Sequence, residues 1–203
     1  MNIIGLTGPS GAGKGALAAQ FAARGIPVID ADRVYRDLLV PPSPCLDALV
    51  EKFGKQILTT DGTLDRAALA AIVFGNDALA STRRATLNRI THQFVTEKTN
   101  ELLSLYRKQG CAAAVIDAPL LIEAGLHERC DIVVAVLAHR EVRLTRLLAR
   151  EGKSREALLA RMDAQPDDDF YRSHAHVVVL NEGEQAQLVA QADQILARLG
   201  LQL

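Results

Sequence analysis

A glycine-rich stretch near the start of the chain has the residue types and spacing of a phosphate-binding loop. The stretch fits the pattern G-x-x-x-x-G-K and reads Gly8-Pro9-Ser10-Gly11-Ala12-Gly13-Lys14. Glycines let the backbone curl until successive N–H groups point at phosphate oxygens, and the lysine reaches the β- and γ-phosphates. A chemically inert turn is the alternative, but an apolar run precedes the stretch and a helical pattern follows it, as the motif requires. The sequence therefore predicts a nucleotide-binding loop.

The two residues after the lysine depart from the full form of this loop. The first of them should be Ser or Thr, whose hydroxyl ligates Mg²⁺, but the chain has Gly15 and Ala16. Phosphate binding by the backbone and Lys14 survives this change, and we include Gly15 and Ala16 in the nucleotide-binding segment. Direct metal ligation by the loop does not survive it. We therefore expect Mg²⁺ to be held by ATP oxygens, water and carboxylates elsewhere in the chain.

Three carboxylates stand where predicted strands end. Asp30 and Asp32 follow one apolar run, and Asp117 closes another. A kinase that acts on an alcohol needs a carboxylate that accepts the hydroxyl proton and aligns the oxygen for in-line attack. Asp30 and Asp32 fit that role, but either could equally cap a helix. Asp117 has the position of an acid that assists the metal, through water, and a capping role is disfavoured there because Pro119 already fixes the turn.

Four arginines of a predicted helix recur every three or four residues. They share one helix face and are Arg140, Arg143, Arg146 and Arg150. Guanidinium groups stay charged and bond phosphate oxygens in pairs, so a hinged lid that carries them could close over ATP and exclude water. Half of them could equally be solvated and paired with acidic neighbours. Spacing alone leaves open which arginines face the nucleotide.

Short apolar runs alternate with helical patterns along the chain. Five such runs predict strands, at 3–7, 27–30, 113–117, 131–136 and 177–180. The stretch 46–109 predicts helices interrupted at Gly54 and at the turn 60–62. Continuous apolar strands separated by helices are typical of a parallel sheet that is covered on both faces. We therefore predict an α/β fold, a doubly wound parallel sheet of the P-loop NTPase type, with ligands at the carboxyl ends of its strands.

Composition excludes several classes of protein. Lys and Arg number 23 against 24 Asp and Glu, so the basic excess of a general nucleic-acid binder is absent. No apolar run is long enough to span a membrane. The three cysteines are odd in number and widely spaced, which favours reduced thiols and a cytoplasmic protein. The five histidines show no metal-ligand spacing, so no side chain is predicted as a direct metal ligand.

Over essentially its whole length the sequence resembles the dephospho-CoA kinases. The motifs that carry the resemblance are the loop, Asp30-Ala31-Asp32, Leu64-Asp65-Arg66 and Asp117-Ala118-Pro119-Leu120-Leu121. Single residues that match in order and spacing include Arg36, Glu123, Arg146, Arg150, Arg161, Gln165, Asn181 and Gly183. Phosphate loops are common, but these motifs together are specific to that family.

The resemblance implies a kinase that transfers the γ-phosphoryl group of MgATP to the 3′-hydroxyl of dephospho-CoA, the last step of coenzyme A synthesis. On that comparison Asp32 is the general base, with Thr7 and Arg36 near the reacting groups. Lys14 and the loop amides hold the phosphates, and Arg146 and Arg150 close on ATP. The resemblance places four further residues at the acceptor, namely His92, Asp117, Pro119 and Leu120. ATP, Mg²⁺ and dephospho-CoA are thus the expected ligands of a chain expected to be monomeric.

The same resemblance divides the single kinase domain into three parts. The core is expected at about residues 1–40, 111–140 and 175–203, the helical acceptor-binding insertion at 41–110, and the arginine-rich lid at 141–170. The chain departs from the family pattern at four places, where the usual residues are replaced by Gly15-Ala16, Gln93, Arg143 and His176. The presumed base and the loop lysine are intact.

Two other interpretations remain open from the sequence. The loop Gly-Pro-Ser-Gly-Ala-Gly-Lys-Gly also resembles that of cytidylate-type nucleoside monophosphate kinases, although those carry Thr where this chain has Ala16. The second alternative is a nucleotide-binding relic of the family that has lost turnover. Gly15 and Ala16 favour that alternative, whereas Asp32, Lys14 and Asp117 argue against it.

Overall fold

The computed structural model describes residues 1–75, 77–183 and 185–201. Within these ranges the chain forms five strands, which are β1 (Asn2–Thr7), β2 (Val28–Asp30), β3 (Ala113–Asp117), β4 (Ile132–Leu137) and β5 (Val177–Leu180). The helices are α1 (Lys14–Ala22), α2 (Ala31–Asp37), α3 (Pro44–Phe53), α4 (Arg66–Val73), α5 (Ala80–Lys108), α6 (Arg140–Glu151), α7 (Arg155–Asp163), α8 (Asp168–His174) and α9 (Gln185–Arg198). The predicted α/β fold is confirmed; residues 184, 202 and 203 of the predicted core lie outside the described ranges.

The five strands form one parallel sheet in the order β2-β3-β1-β4-β5. β1 lies in the centre, between β3 and β4, and is buried from Ile3 to Thr7. One face packs on α1 and α9, through Leu17 and Phe21 of the first helix and Leu188 and Ile195 of the second. Burial on both faces explains why the strands read as continuous apolar runs rather than alternating ones. The central position of β1 places the loop that follows it in the middle of the carboxyl edge.

The chain divides into two compact units. The first contains Met1–Asp30 and the described residues of Leu103–Leu203, and the second is Ala31–Leu102. The helical unit therefore has other bounds than the predicted insertion, 41–110, since it includes α2. The reason is packing: Tyr35 and Leu38 lie against a helical core around Leu49. Whether the second unit binds the acceptor stays a prediction.

Local capping explains where two helices of the second unit begin. The Ser43 hydroxyl accepts a hydrogen bond from the Leu46 N–H at 3.0 Å, and Pro44 occupies the first turn of α3. The Asp65 carboxylate accepts one from the Ala68 N–H at 2.9 Å at the start of α4. Both side chains satisfy N–H groups that a helix leaves unpaired at its amino end. Among the described residues, no helix has both the length and the apolarity needed to cross a bilayer.

Candidate active site

The glycine-rich loop connects β1 to α1 and curls through backbone conformations that favour glycine. Gly8 has φ 135°, and a Cβ atom on it would overlap the Val136 carbonyl oxygen of the neighbouring strand. Gly13 has φ 95° and immediately precedes α1, where a Cβ atom would overlap the amide nitrogen of Asn181. Both positions thus exclude a side chain, because the positive φ value favours glycine and because a Cβ atom would overlap a neighbouring atom. The glycines of the sequence pattern are therefore dictated by the shape of the loop.

Positive charge is concentrated where the loop enters α1. Lys14 is the first residue of α1, and its Nζ donates a hydrogen bond back across the loop to the Gly8 carbonyl oxygen at 3.3 Å. The first turn of α1 carries no acidic residue, so the positive end of the helix dipole is not offset there. Such an arrangement suits a polyphosphate. The predicted association of Gly8, Gly13 and Lys14 is observed.

The two atypical residues of the loop face open space. Gly15 and Ala16 are exposed, and a Cβ atom added at Gly15 would meet no atom within 4 Å. The φ value of Gly15 lies outside the region that favours glycine. A serine would therefore fit at position 15 without displacing a neighbour, so the missing hydroxyl does not follow from a lack of space.

Carboxylates line up along the carboxyl edge of the sheet beside the loop. Asp30 of β2 pairs in register with Asp117 of β3, and Asp117 pairs with Leu6 of β1. Because neighbouring strands lie about 4.8 Å apart, the ends of these three strands form one continuous row. The Asp117 side chain is half-buried and its Oδ1 atom is fully enclosed. Asp117 therefore stands at the carboxyl end of the strand next to β1, from which the loop departs.

The turn after β3 closes against the end of β1. The Thr7 side chain is fully buried, and its hydroxyl donates to the Pro119 carbonyl oxygen at 3.4 Å. The Ala118 N–H bonds the Leu6 carbonyl oxygen at 3.1 Å. Leu120, by contrast, is 48% exposed. Thr7 and Pro119 are thus brought together as a rigid corner, and Leu120 is the predicted acceptor contact that points outward.

Two arginines of α6 bond the backbone of the phosphate loop. Arg143 Nε donates to the Ser10 carbonyl oxygen at 3.0 Å. Arg146 Nη1 contacts the carbonyl oxygens of Gly11 and Ala12 at 3.4 and 3.3 Å. Desolvation of the buried Arg143 guanidinium lowers its pKa, partly opposed by the charges of Asp168 and Tyr171. Arg146 therefore lies against the loop backbone, and its predicted contact with ATP stays a prediction.

The other two arginines of α6 pair with carboxylates at the surface. Arg140 contacts Asp163 at 2.6 Å, and Arg150 contacts Glu151 at 2.7 Å. Arg161 of α7 reaches the same Glu151 carboxylate at 2.8 and 3.1 Å. The hydrogen bonds from Arg161 and Arg150 lower the pKa of Glu151 to about 2. Arg150 thus lies in an ion-pair cluster of α6 and α7 rather than on the loop backbone. Its predicted contact with ATP stays a prediction.

Two residues that hold the loop went unassigned in the sequence analysis. Asn181, directly after β5, is buried, and its Nδ2 donates to the Ala12 carbonyl oxygen at 2.9 Å. Gln165, after α7, accepts from the Ser10 N–H through Oε1 at 3.0 Å and donates to the Ser10 hydroxyl at 3.1 Å. The only sequence signal for either residue is its match to the family pattern.

The remaining predicted site residues belong to the second unit. Asp32 lies in the first turn of α2 and Arg36 in its last turn. Both side chains are exposed, and because they are four residues apart they share a face of the helix. His92 is half-buried on α5. The first unit therefore brings together the loop, Lys14, Thr7, Asp117 and Arg146, whereas the predicted base and its neighbour stand together on α2.

The central parallel strand β1 runs into a glycine-lysine loop, and two arginines of α6 bond the backbone of that loop. This arrangement defines a P-loop kinase. The family model described as Dephospho-CoA kinase matches residues 2–187. The Dephospho-CoA kinase of Corynebacterium efficiens is 39% identical over 196 residues, which cover 97% of this chain and 96% of that protein. The chain belongs to the dephospho-CoA kinase family. It is therefore an ATP-dependent enzyme that transfers a phosphoryl group to an alcohol.

Solved structures agree with this fold. TT1252 from Thermus thermophilus superposes with a TM-score of 0.82 at 32% identity, over 98% of this chain and 97% of that one. The Dephospho-CoA kinase from Campylobacter jejuni superposes with a TM-score of 0.70 at 24% identity, over 98% and 96%. Agreement over nearly the whole length of each chain confirms the expected α/β architecture.

Proposed function

We propose that this chain transfers the γ-phosphoryl group of ATP to the 3′-hydroxyl of the ribose in dephospho-CoA, which gives coenzyme A and ADP. The observation that carries the proposal is the glycine-lysine loop at the end of β1. Lys14 bonds the Gly8 carbonyl oxygen across this loop, and Arg146 and Asn181 bond the carbonyl oxygen of Ala12. Family membership supplies the identity of the acceptor.

ATP binds with its β- and γ-phosphates in the loop. The backbone amides between Gly11 and Gly15 face the phosphate oxygens, and Lys14 bridges the β- and γ-phosphates. The Ser10 N–H is already bonded to Gln165, so Ser10 contributes by shaping the loop. Arg146, already at the outer side of the loop, neutralises charge as the phosphoryl group moves. Arg150 leaves its surface pair with Glu151 when the hairpin closes on the nucleotide, since an exposed ion pair is worth only about 1 kcal/mol or less.

Asp32 serves as the general base. Its carboxylate accepts the proton of the 3′-hydroxyl while the oxygen attacks the γ-phosphorus in line. The new bond joins the 3′-oxygen to phosphorus, the bond between the γ-phosphorus and the bridging oxygen breaks, and ADP leaves with the electron pair. Arg36, on the same face of α2, orients the acceptor beside this carboxylate.

Further contacts to the acceptor are proposed for residues that match the family pattern. Asp117, Pro119 and Leu120 follow β3, and the exposure of Leu120 leaves an apolar side chain available to the pantetheine arm. Thr7 fixes the corner through its bond to Pro119. In the helical unit, His92 supplies a polar contact from α5. These assignments extend the family pattern residue by residue to this chain.

The residues beside the loop suit a magnesium ion carried in with ATP. Mg²⁺ prefers oxygen ligands and usually keeps several waters while binding phosphates and one or two carboxylates. Asp117 offers such a carboxylate, through water, at the edge of the sheet next to β1, whereas position 15 offers no hydroxyl. When bound, the ion offsets the negative charge of the phosphates. We further propose that the chain acts as a cytoplasmic monomer, in keeping with its balanced charge and its three free cysteines.

A substrate panel tests the proposal. The purified chain is incubated with MgATP and dephospho-CoA, CMP or AMP, and ADP release is followed while products are identified by mass. We expect turnover with dephospho-CoA alone, with a product heavier by one phosphoryl group. Turnover with CMP or AMP instead would favour a nucleoside monophosphate kinase. No turnover with any acceptor, while ATP still binds in calorimetry, would favour the nucleotide-binding relic.

A further inference from the structure

Four hydrogen bonds link the tip of the phosphate loop to side chains at and beyond α6. Neither the loop motif nor the proposed chemistry requires them. Ser10 lies at the centre of these bonds, and Arg143 and Gln165 surround it. Arg143 donates to the Ser10 carbonyl oxygen, and Gln165 bonds both the N–H and the hydroxyl of Ser10. Arg143 Nη2 also donates to Gln165 Oε1 at 3.3 Å. We name these three residues the Ser10 latch.

The partners in the latch fix one another's orientation. Gln165 Oε1 accepts from two donors while its Nε2 donates to a hydroxyl, so a flipped amide would lose the two bonds to Oε1. The Arg143 guanidinium is planar and presents its donors in a rigid fork, which serves the Ser10 carbonyl oxygen and Gln165 together. Arg143 is 8% exposed. A buried charge bonded in this way is strongly oriented, because moving it would leave it desolvated without its acceptors.

Both latch partners stand at the stems of the predicted lid. Arg143 lies in the first turn of α6, and Gln165 is the second residue after α7 ends at Asp163. Between them, α6 and α7 form a hairpin with its own apolar cluster, built from Leu144, Leu147, Leu158 and Met162. The hairpin is therefore one packed element whose two stems are both fastened to Ser10.

From this geometry we propose that Arg143 and Gln165 are positioning residues that hold the loop tip, through Ser10, in the conformation that receives ATP. Their hydrogen bonds run to Ser10 and to each other, so their effect should pass through Ser10. The inference rests on the proposed use of this loop for ATP and adds two residues to it. Arg143 stands where the family pattern has glutamine, so the charged half of the latch is a property of this chain.

A loop without the latch samples conformations that do not bind, and its apparent affinity falls by the fraction that is competent. Losing these bonds should lower the competent fraction to about one tenth and so raise the Kd for ATP roughly tenfold. The turnover of ATP already bound should change little, because the reacting groups are intact. The KM for dephospho-CoA should stay unchanged for the same reason.

The test compares Arg143→Met, Gln165→Met and the double variant with the parent chain. Calorimetric titration with ATP alone gives Kd, and steady-state kinetics with dephospho-CoA give kcat and both KM values. Arg140→Met is the matched control, because that arginine lies on the same helix but pairs with Asp163 at the surface. Arg143→Lys and Gln165→Glu each keep part of the latch and should give intermediate affinities.

We expect Kd for ATP to rise about tenfold in each Met variant, less than additively in the double variant because the two residues share Ser10, and not at all in the control. Unchanged ATP affinity in folded Met variants would overturn the proposal. So would an equal loss of kcat and of both affinities, which a general structural role would produce. If a Met variant does not fold, the two partial variants give the same comparison. Because ATP binding is measured alone, failure of the latch is distinguishable from failure to turn over dephospho-CoA.

Discussion

The phosphate loop and helix α2 carry functional residues in opposite ways. In the loop, the carbonyl oxygens of Ser10, Gly11 and Ala12 each accept a hydrogen bond from an arginine or an asparagine. On α2, Asp32 and Arg36 stand exposed on one helix face. The first arrangement fixes the backbone before ATP arrives, so less reorganisation is needed at the moment of reaction. The second leaves two charged groups exposed to water.

This difference predicts that substitutions in the two regions give different kinetic signatures. Changes around the loop should appear mainly in ATP affinity, since they alter how much of the protein is ready to bind. Changes on α2 should appear in turnover, since the proposed general base lies there. Each of the following variants would break or sharpen that distinction.

The largest effect is expected on α2. Asp32→Asn should lower kcat by about 100-fold or more, because the amide cannot accept the hydroxyl proton, while the Kd for ATP should hardly change. Steady-state kinetics with a calorimetric ATP titration measure both quantities. Asp37→Asn is the matched control, since Asp37 is an exposed aspartate of the same helix whose ion pair with Arg33 spans 3.8 Å. Equal kcat values for Asp32→Asn and the parent would remove Asp32 from the base role.

An effect of intermediate size is expected for the ion-pair cluster around Glu151 in the α6–α7 hairpin. The cluster consists of charged side chains that lie near the surface. The hydrogen bonds from Arg161 and Arg150 hold the pKa of Glu151 at about 2. A carboxyl group whose pKa is lower in the folded than in the unfolded state stabilises the fold at pH values above its unfolded-state pKa. This contribution is lost as the pH falls through the folded-state pKa. Glu151→Gln should therefore lower the free energy of unfolding by about 1 kcal/mol at neutral pH.

Urea denaturation across a pH series measures this contribution. The difference between Glu151→Gln and the parent should be constant near neutrality and should shrink as pH falls from about 4.5 toward about 2. Glu141→Gln is the control, since Glu141 is exposed and lies 3.6 Å from Arg155. A difference between Glu151→Gln and the parent that does not vary over this pH range would show that the charge of Glu151 is not what stabilises the hairpin.

The smallest effect is expected inside the loop. Gly15→Ser restores the hydroxyl of the full motif at a position with open space, and it should tighten the apparent Mg²⁺ affinity by roughly threefold. Titration of turnover with Mg²⁺ at fixed ATP measures the change. Ala16→Ser places a hydroxyl one residue further on and serves as the control. Superimposable titrations for Gly15→Ser and the parent would mean that the metal is held without any help from this position.

Local sequence patterns predicted the strands and most helices of this fold well. They did not predict the order of the strands in the sheet. Fully buried strands such as β4 appear in the sequence as unbroken apolar runs, so their existence and parallel pairing follow from composition. The order β2-β3-β1-β4-β5 does not, because strand pairing joins segments far apart in the chain. Helix α8 was missed, since it is short and begins with consecutive aspartates that resemble a loop. Helix α2 was predicted as part of the core, whereas the structure groups it with the helical unit. Its packing against the apolar core around Leu49 could not be predicted from its own sequence.

The site shows the same limit. The loop and the carboxylate row were predicted because motif and strand ends lie in local sequence. The spacing of the four arginines on α6 was equally clear, but it is identical for those that bond the loop and those that pair at the surface. What separates Arg143 from Arg140 is a partner 133 positions away, Ser10, which only the folded chain brings near. Whether Arg146 and Arg150 contact ATP stays a prediction.

The supports of the loop also have a consequence for how the protein is made. The loop is synthesised well before the side chains that fix it, which follow 133, 155 and 169 positions later, at Arg143, Gln165 and Asn181. Contacts of such sequence separation form late, because a long stretch of chain must be ordered first. A nascent chain should therefore be unable to retain ATP until the segment after β5 has left the ribosome. Nucleotide binding would then report the completion of folding rather than assist its start.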